Sequence, residues 1–186
     1  MYRSFDPEAK AFSGRRAASR IELTGMGNVI SRRTIKSHPD ESSTDPMKKQ
    51  IINSETGEWA DHDVAYSEGV VVHMAGAKRV FLSGIVSEGE TIEIQTRNVL
   101  EEIEGMLAEH GGGMADVVRV RVFISRPEMD DESLETVHDV RNEFFLQEHL
   151  PASTLVEVED LVTDDYSIEI DADAIIPDGG WDVEQV

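Results

Sequence analysis

Apolar residues recur along this chain with two different periods, and the switches between them mark out its elements. From Glu68 to Met74 and from Arg79 to Val86 two apolar runs flank Ala75-Gly76-Ala77-Lys78, a pattern that predicts a β-hairpin. From Thr91 to His110 the spacing becomes helical, with Val99, Ile103, Met106 and Leu107 on one stripe. Thr91 is placed to cap that helix and Gly111-Gly112-Gly113 to stop it. Asp116 to Ser125 returns to alternation, with Val118, Val120, Val122 and Ile124 on one face and Arg119 and Arg121 on the other, where Glu157 or Glu159 of the later strands are their expected ion-pair partners. A second helix is predicted from near Asp130 to about His149, its inward surface made by Leu134, Val137, Val140, Phe144 and Phe145.

The stretch from Leu150 to Pro177 predicts two further strands joined by a polar turn at Thr163 to Tyr166. In the first, Thr154, Val156 and Val158 share one face while Ser153, Leu155, Glu157 and Glu159 share the other; in the second, Ile168, Ile170 and Ala172 alternate with Glu169 and Asp171. Such a pair holds Ser153 and Glu169 on rigid backbone at a sheet end or edge, where a small-molecule site can be built. The resulting order, β-β-α-β-α-β-β, is an α+β layer solution with two helices on one face of a mixed sheet. Val, Phe and Ile on the other face would form a patch larger than a monomer usually exposes, so that face also calls for a partner surface.

Ahead of the hairpin, residues 1–60 are polar, Ser-rich and interrupted by Pro7, Pro39 and Pro46, with no sustained period, and are read as an extension. Ile21, Leu23, Met26, Val29 and Ile30 are its candidates for a short packed element. The main domain spans 61–177 and an acidic tail 178–186. The chain is large enough for one core and requires no second.

Charge changes the picture more than length does. The 186 residues carry Lys+Arg 17 against Asp+Glu 38, a formal net charge of -21. Residues 1–50 hold ten Lys or Arg against six Asp or Glu, a net of +4, which leaves seven against 32, a net of -25, for the rest. Lys78 is the only lysine after Lys49. So acidic a body disfavours a nucleic-acid partner, whose phosphates need cationic surface. A carboxylate-rich, lysine-poor surface suits a halophilic source, where salt screens the repulsion; an ordinary acidic cytosolic protein is the alternative. The basic pairs Arg15-Arg16, Arg32-Arg33 and Lys48-Lys49 either dock on the acidic body or a neighbouring subunit, or stay solvated. Without cysteine there is no disulfide framework or thiolate metal site, and no apolar run approaches membrane-spanning length, so a cytoplasmic protein is expected. The six histidines show no metal-ligand spacing, and no metal is predicted.

Six ordered motifs within about Val64–Pro177 resemble the RidA family, also called YjgF or liver perchloric-acid-soluble proteins. AYSEGVVV (Ala65–Val72) looks like its tyrosine-bearing first strand, and VFLSGIVS (Val80–Ser87) like its Ser-Gly strand end. DVVRVRVFIS (Asp116–Ser125) and ETVHDVRNEFF (Glu135–Phe145) match its middle strand and second helix. PASTLVEV falls on its Pro-Ala-Arg-Ser-x-Val-Glu-Val signature, and SIEIDADAI on its final strand.

The resemblance implies a RidA-like, chorismate-mutase-like homotrimer whose sheets enclose a barrel, with ligand clefts between subunits. Carried over residue by residue, the cleft would be lined by Tyr66, Ser83, Gly84, His138, Ser153 and Leu155, with Glu169 as the acid that positions or activates water, and no cofactor. Each has a bland reading beside it: Tyr66 as a subunit-contact tyrosine, Gly84 as a bulge glycine, His138 as surface filler, Glu169 as one more solvent-facing acid. Members that hydrolyse reactive enamines and imines carry an arginine where Ser153 stands. A hydroxyl has one donor and no charge, so it cannot replace a guanidinium in gripping an anion. Arg141 on the second helix is a candidate to restore that charge. Two classes of function therefore stand side by side, an enamine or imine deaminase and a non-catalytic metabolite-binding or regulatory protein, with a different hydrolase or lyase on the same scaffold as a third.

Overall fold

Six strands make one mixed sheet in the computed structural model, which describes residues 47–53 and 65–185. In chain order the elements are β1 (Lys49–Ile52), β2 (Gly69–Met74), β3 (Ala77–Ile85), α1 (Ile92–Glu109), β4 (Val117–Ser125), α2 (Asp131–Phe144), β5 (Ala152–Val158) and β6 (Ile168–Pro177). The strands lie in the order β1-β2-β3-β6-β4-β5. Only β4 and β5 are parallel, and α2 makes the crossover between them.

Alternation decides which side of the sheet the helices cover. Val71, Val80, Leu82, Val120, Val122, Ile124, Ile168, Ile170, Ala172 and Ala174 are buried against Val99, Leu100, Ile103 and Leu107 of α1 and Val137 and Val140 of α2. The predicted α+β architecture is therefore present. Helix α1 starts where Thr91 accepts a hydrogen bond from Ile94 N, and it ends before Gly111, whose φ of 82° is a left-handed conformation that favours glycine. Lys78 donates to the His110 carbonyl at 2.6 Å, so the body's one lysine lies at the negative end of the helix dipole.

Buried Gln95 ties the helix start to the β5–β6 loop. Its amide nitrogen donates to Gly89 O (3.0 Å) and Asp165 O (3.1 Å), and its carbonyl accepts from Ser167 N at 2.8 Å. Ser167 O in turn accepts from Ser125 N. Gln95→Leu leaves these loop groups unpaired, and the expected loss is about 1–3 kcal/mol of folding free energy. Urea denaturation of the two proteins measures it.

Five expectations need correction. Strand β1 falls in the segment read as lacking regular structure: four residues are too short to show a period, and they form an edge strand through register, Ile51 opposite Val70. Strands β5 and β6 are not neighbours. β6 is central, buried at alternate positions between β3 and β4, while the parallel crossover puts β5 on the outside. Helix α2 stops at Phe144, five residues early, because Phe145 turns extended to bury its ring, and Gln147–His149 forms a separate 3₁₀ turn before Pro151. In β4 the register against β6 shifts between Val117 and Arg119, so Val117 is buried and Val118 is not. Arg121 pairs with Asp171 at 2.7 Å and Asp173 at 3.7 Å, and not with Glu157, which pairs with Arg126 at 2.7 Å. The candidate element Ile21–Ile30 and the pairs Arg15-Arg16 and Arg32-Arg33 lie outside the described residues; Lys48-Lys49 is exposed.

Candidate functional site

Two clusters, on opposite faces of the sheet, hold the residues that the motifs single out. The first forms where β3 ends and β6 begins. Between Leu82 and Ile85 strand β3 carries one residue more than β6 does between Ala172 and Ile170, so Ser83-Gly84 bulges out of the ladder. Ser83 is committed to the chain: its N donates to Glu68 O at 2.8 Å and its hydroxyl to Ser67 O at 2.7 Å. That bond anchors the segment carrying Tyr66, whose side chain is 59% exposed.

Gly84 leaves open the space that the Glu169 side chain fills. A β-carbon on Gly84 would stand 3.0 Å from Glu169 Cγ, a tight contact, and 2.6 Å from its Cδ, closer than such atoms approach, so the carboxylate would have to shift. Gly84 is thus a bulge glycine that also leaves room for the Glu169 side chain. Burial, and after it the charge of Asp171 two residues along the same face, pushes the Glu169 carboxyl above the usual glutamate range.

The second cluster lies on the helix side, along the β5 edge. Ser153 and Leu155 are in register with buried Val120 and Val122, so they face α2. Opposite them His138, Arg141 and Asn142 follow one another at i, i+3 and i+4 on one stripe of the helix, and Phe145 comes just past its end. Together with Leu150 and Pro151 these side chains line a cavity of about 360 Å³. Arg141 is only 9% exposed and donates from Nη2 to Ser153 Oγ at 2.8 Å. Its Nε is buried without a partner, and burial lowers its pKa from the usual arginine value. His138 is exposed at the rim. Asn142 had not been singled out from sequence; the signal was its place on the stripe, four residues after His138.

The structure does not bring Ser153 and Glu169 together within one chain. Glu169 is in register with Phe123 and Val156 on the uncovered face, Ser153 with Val120 on the covered one. They are three rows apart along the strands, about 10 Å, and two strands apart across the sheet, about another 10 Å. One chain thus carries the Glu169 carboxylate and the Arg141 guanidinium on opposite faces of its sheet.

Sheet order, bulge and helix crossover define a small α+β protein of one family. The sequence model of the family described as endoribonuclease L-PSP matches residues 60–176. The chain belongs to that family, the RidA/YjgF group that its motifs resemble. It is 33% identical over 93 residues to a RutC family protein of Synechocystis sp., a match that covers 50% of this chain and 67% of that protein. Among solved structures it is similar to a YjgF-family member from Mycobacterium tuberculosis, at 29% identity and a TM-score of 0.58, covering 69% of this chain and 100% of the other. A YjgF-family protein from Neisseria meningitidis gives 28% identity and a TM-score of 0.56, covering 71% of this chain and 98% of the other.

Proposed function

We propose that this protein is a homotrimer that binds a small reactive metabolite in clefts between subunits and hydrolyses enamines or imines there. The observation that carries the reading is the Glu169 carboxylate lying over Gly84 beside the Ser83 bulge, with its affinity for a proton raised by burial. A carboxylate so placed accepts a proton from water as the oxygen attacks the imine carbon. The proton passes to the nitrogen of the resulting carbinolamine, the C–N bond breaks as the hydroxyl gives up its own proton through the carboxylate to the departing nitrogen, and a carbonyl product and ammonia leave. The substrate is already activated, so the residues present suffice for the reaction. Pairing subunits supplies what one chain lacks, since the acid half of one protomer can meet the cation half of another. The test is release of ammonia and keto acid from enzymatically generated 2-imino acids by the purified chain.

A second reading, a binding protein without turnover, is favoured by one observation: the signature position holds Ser153 instead of arginine. Silence in wild type with activity gained by Ser153→Arg supports it. Activity in wild type overturns it.

The same proposal places the protein in a cytoplasm rich in salt, where 38 acidic residues against 17 basic ones are kept hydrated and screened. Its urea midpoint is expected to rise on going to about 2 M KCl, a concentration at which the Debye length is about 2 Å. A midpoint that stays level or falls removes the halophilic part of the proposal.

A further inference from the structure

We infer that Arg141, reaching from α2 onto the Ser153 hydroxyl, is the anion anchor of the cleft and selects small monocarboxylates. The inference rests on the cleft reading above and adds to it the residue and the ligand class.

A buried guanidinium keeps its charge, because arginine is not deprotonated in proteins. Leaving that charge without a counter-ion is costly. Yet among the described residues Arg141 forms no ion pair, and none of the residues lining the cavity with it is acidic. In a body with 32 acidic residues against seven basic ones after position 50, a cationic cavity wall free of carboxylates leaves room for an anion from outside.

The remaining lining specifies which anion. Ser153 Oγ accepts the Arg141 hydrogen bond, and its own proton remains to be donated, so hydroxyl and guanidinium present two adjacent kinds of donor. Asn142 adds an amide, while Phe145, Leu150, Pro151 and Leu155 are apolar. One fixed positive charge, neutral donors and an apolar wall in about 360 Å³ match a single carboxylate on a short aliphatic or planar body. A phosphate monoester, with close to two negative charges, would call for further fixed cations, and beside Arg141 the wall offers the titratable His138 at its exposed rim. Helix geometry makes the substitution possible: Arg141 is one turn beyond His138 on the stripe facing β5, so a cation lost from the strand is supplied from across the cleft wall.

The probe is benzoate, with neutral benzamide as its control, titrated into the full chain at low salt and followed by saturation-transfer NMR and calorimetry. Wild type is expected to prefer benzoate. Arg141→Gln should weaken benzoate by about 10-fold to 100-fold, the worth of a charge-assisted hydrogen bond, and leave benzamide nearly unchanged. Because Arg141→Gln can disturb packing, the exchange variant R141S/S153R, which moves the guanidinium from helix to strand, is measured as well and should recover at least part of the preference. Equal binding of benzoate and benzamide by wild type, or benzoate affinity indifferent to Arg141→Gln, overturns the anchor. Imine turnover is read on the same preparations. Turnover with benzoate binding indifferent to Arg141 removes the anchor and spares hydrolysis; benzoate binding that depends on Arg141 without any turnover removes hydrolysis and supports the anchor.

Discussion

Glu169→Gln is expected to cut imine hydrolysis by about 10²- to 10⁴-fold, the range in which a positioned general base contributes. The amide keeps the shape of the side chain over Gly84 and removes its capacity to take a proton. The pH profile gives the second half of the prediction. Only the ionised carboxyl acts as base, and burial followed by Asp171 raises its pKa, so the rate should climb with pH through a midpoint above that of an ordinary glutamate. The same shift has a stability sign. Raising a carboxyl's pKa on folding disfavours its charged form, so the folded state loses stability as pH rises from the unfolded value through the raised one. Glu169→Gln removes that penalty and should therefore be no less stable than wild type at neutral pH. A variant that loses turnover because it unfolds would show the opposite. Gly84→Ala tests the same geometry from the other strand: its methyl group claims the space that Glu169 Cδ and Cγ occupy, so the carboxylate must move and turnover fall, with the acid still present.

Much of this was legible in the chain because strong periods leave few choices. Helix α1 announces itself by a Thr91 cap, a stripe and a glycine stop, and each occurs where the pattern puts it. β6 alternates so regularly that Glu169 separates from the buried face of Ile168, Ile170 and Ala172. Local pattern gave less where pairing partners decide. Nothing in β5 or β6 alone says that β4 lies between them, because both read as alternating strands joined by a polar loop. That Ser153 and Glu169 lie on opposite faces of one chain is fixed by register with Val120 and Phe123, which neither strand shows alone. The bulge at Val118 likewise left no trace in a run of alternating valines.

Arg141 falls between these cases. Its position on the helix was plain, but its burial and its bond to Ser153 follow from β5 lying beside α2, which only the crossover sets. The chain thus has a cation on the helix where the family signature has one on the strand. The consequence for specificity is geometric: a guanidinium reaching across the cavity occupies volume that a strand arginine would leave clear. Ligands shorter than those suited to a strand arginine should fit.

Replacing Phe81 or Val156 by aspartate is expected to turn the proposed trimer into single chains and to abolish turnover with it. Both side chains lie on the sheet face away from the helices, as do Val70, Val72, Phe123 and Ile175, all half-buried or exposed in the isolated chain. Val156 is 39% exposed and Ile51 58%. The Arg79 guanidinium lies 4.5 Å from the Phe81 ring centre, and Arg121 with Asp171 and Asp173 forms an ion-pair row beside it. A neighbour covering this face would bury the new carboxylate, without a partner at Val156 and with Arg79 beside it at Phe81, at a cost of several kcal/mol at Val156 and less at Phe81, repeated in each subunit of the proposed trimer. In the free chain the same aspartate faces water, so folding should be nearly unaffected. Sedimentation velocity then separates the outcomes: wild type at three times the 20.7 kDa chain mass, the variants at one, all with the same helical signal. Activity should vanish with association, because Glu169 and the Arg141–Ser153 pair of one chain lie on opposite faces and cannot serve one substrate. An aspartate variant that stays trimeric would mean that this face is not the one subunits share, and a monomer that still hydrolyses imines would mean that one face alone carries the chemistry.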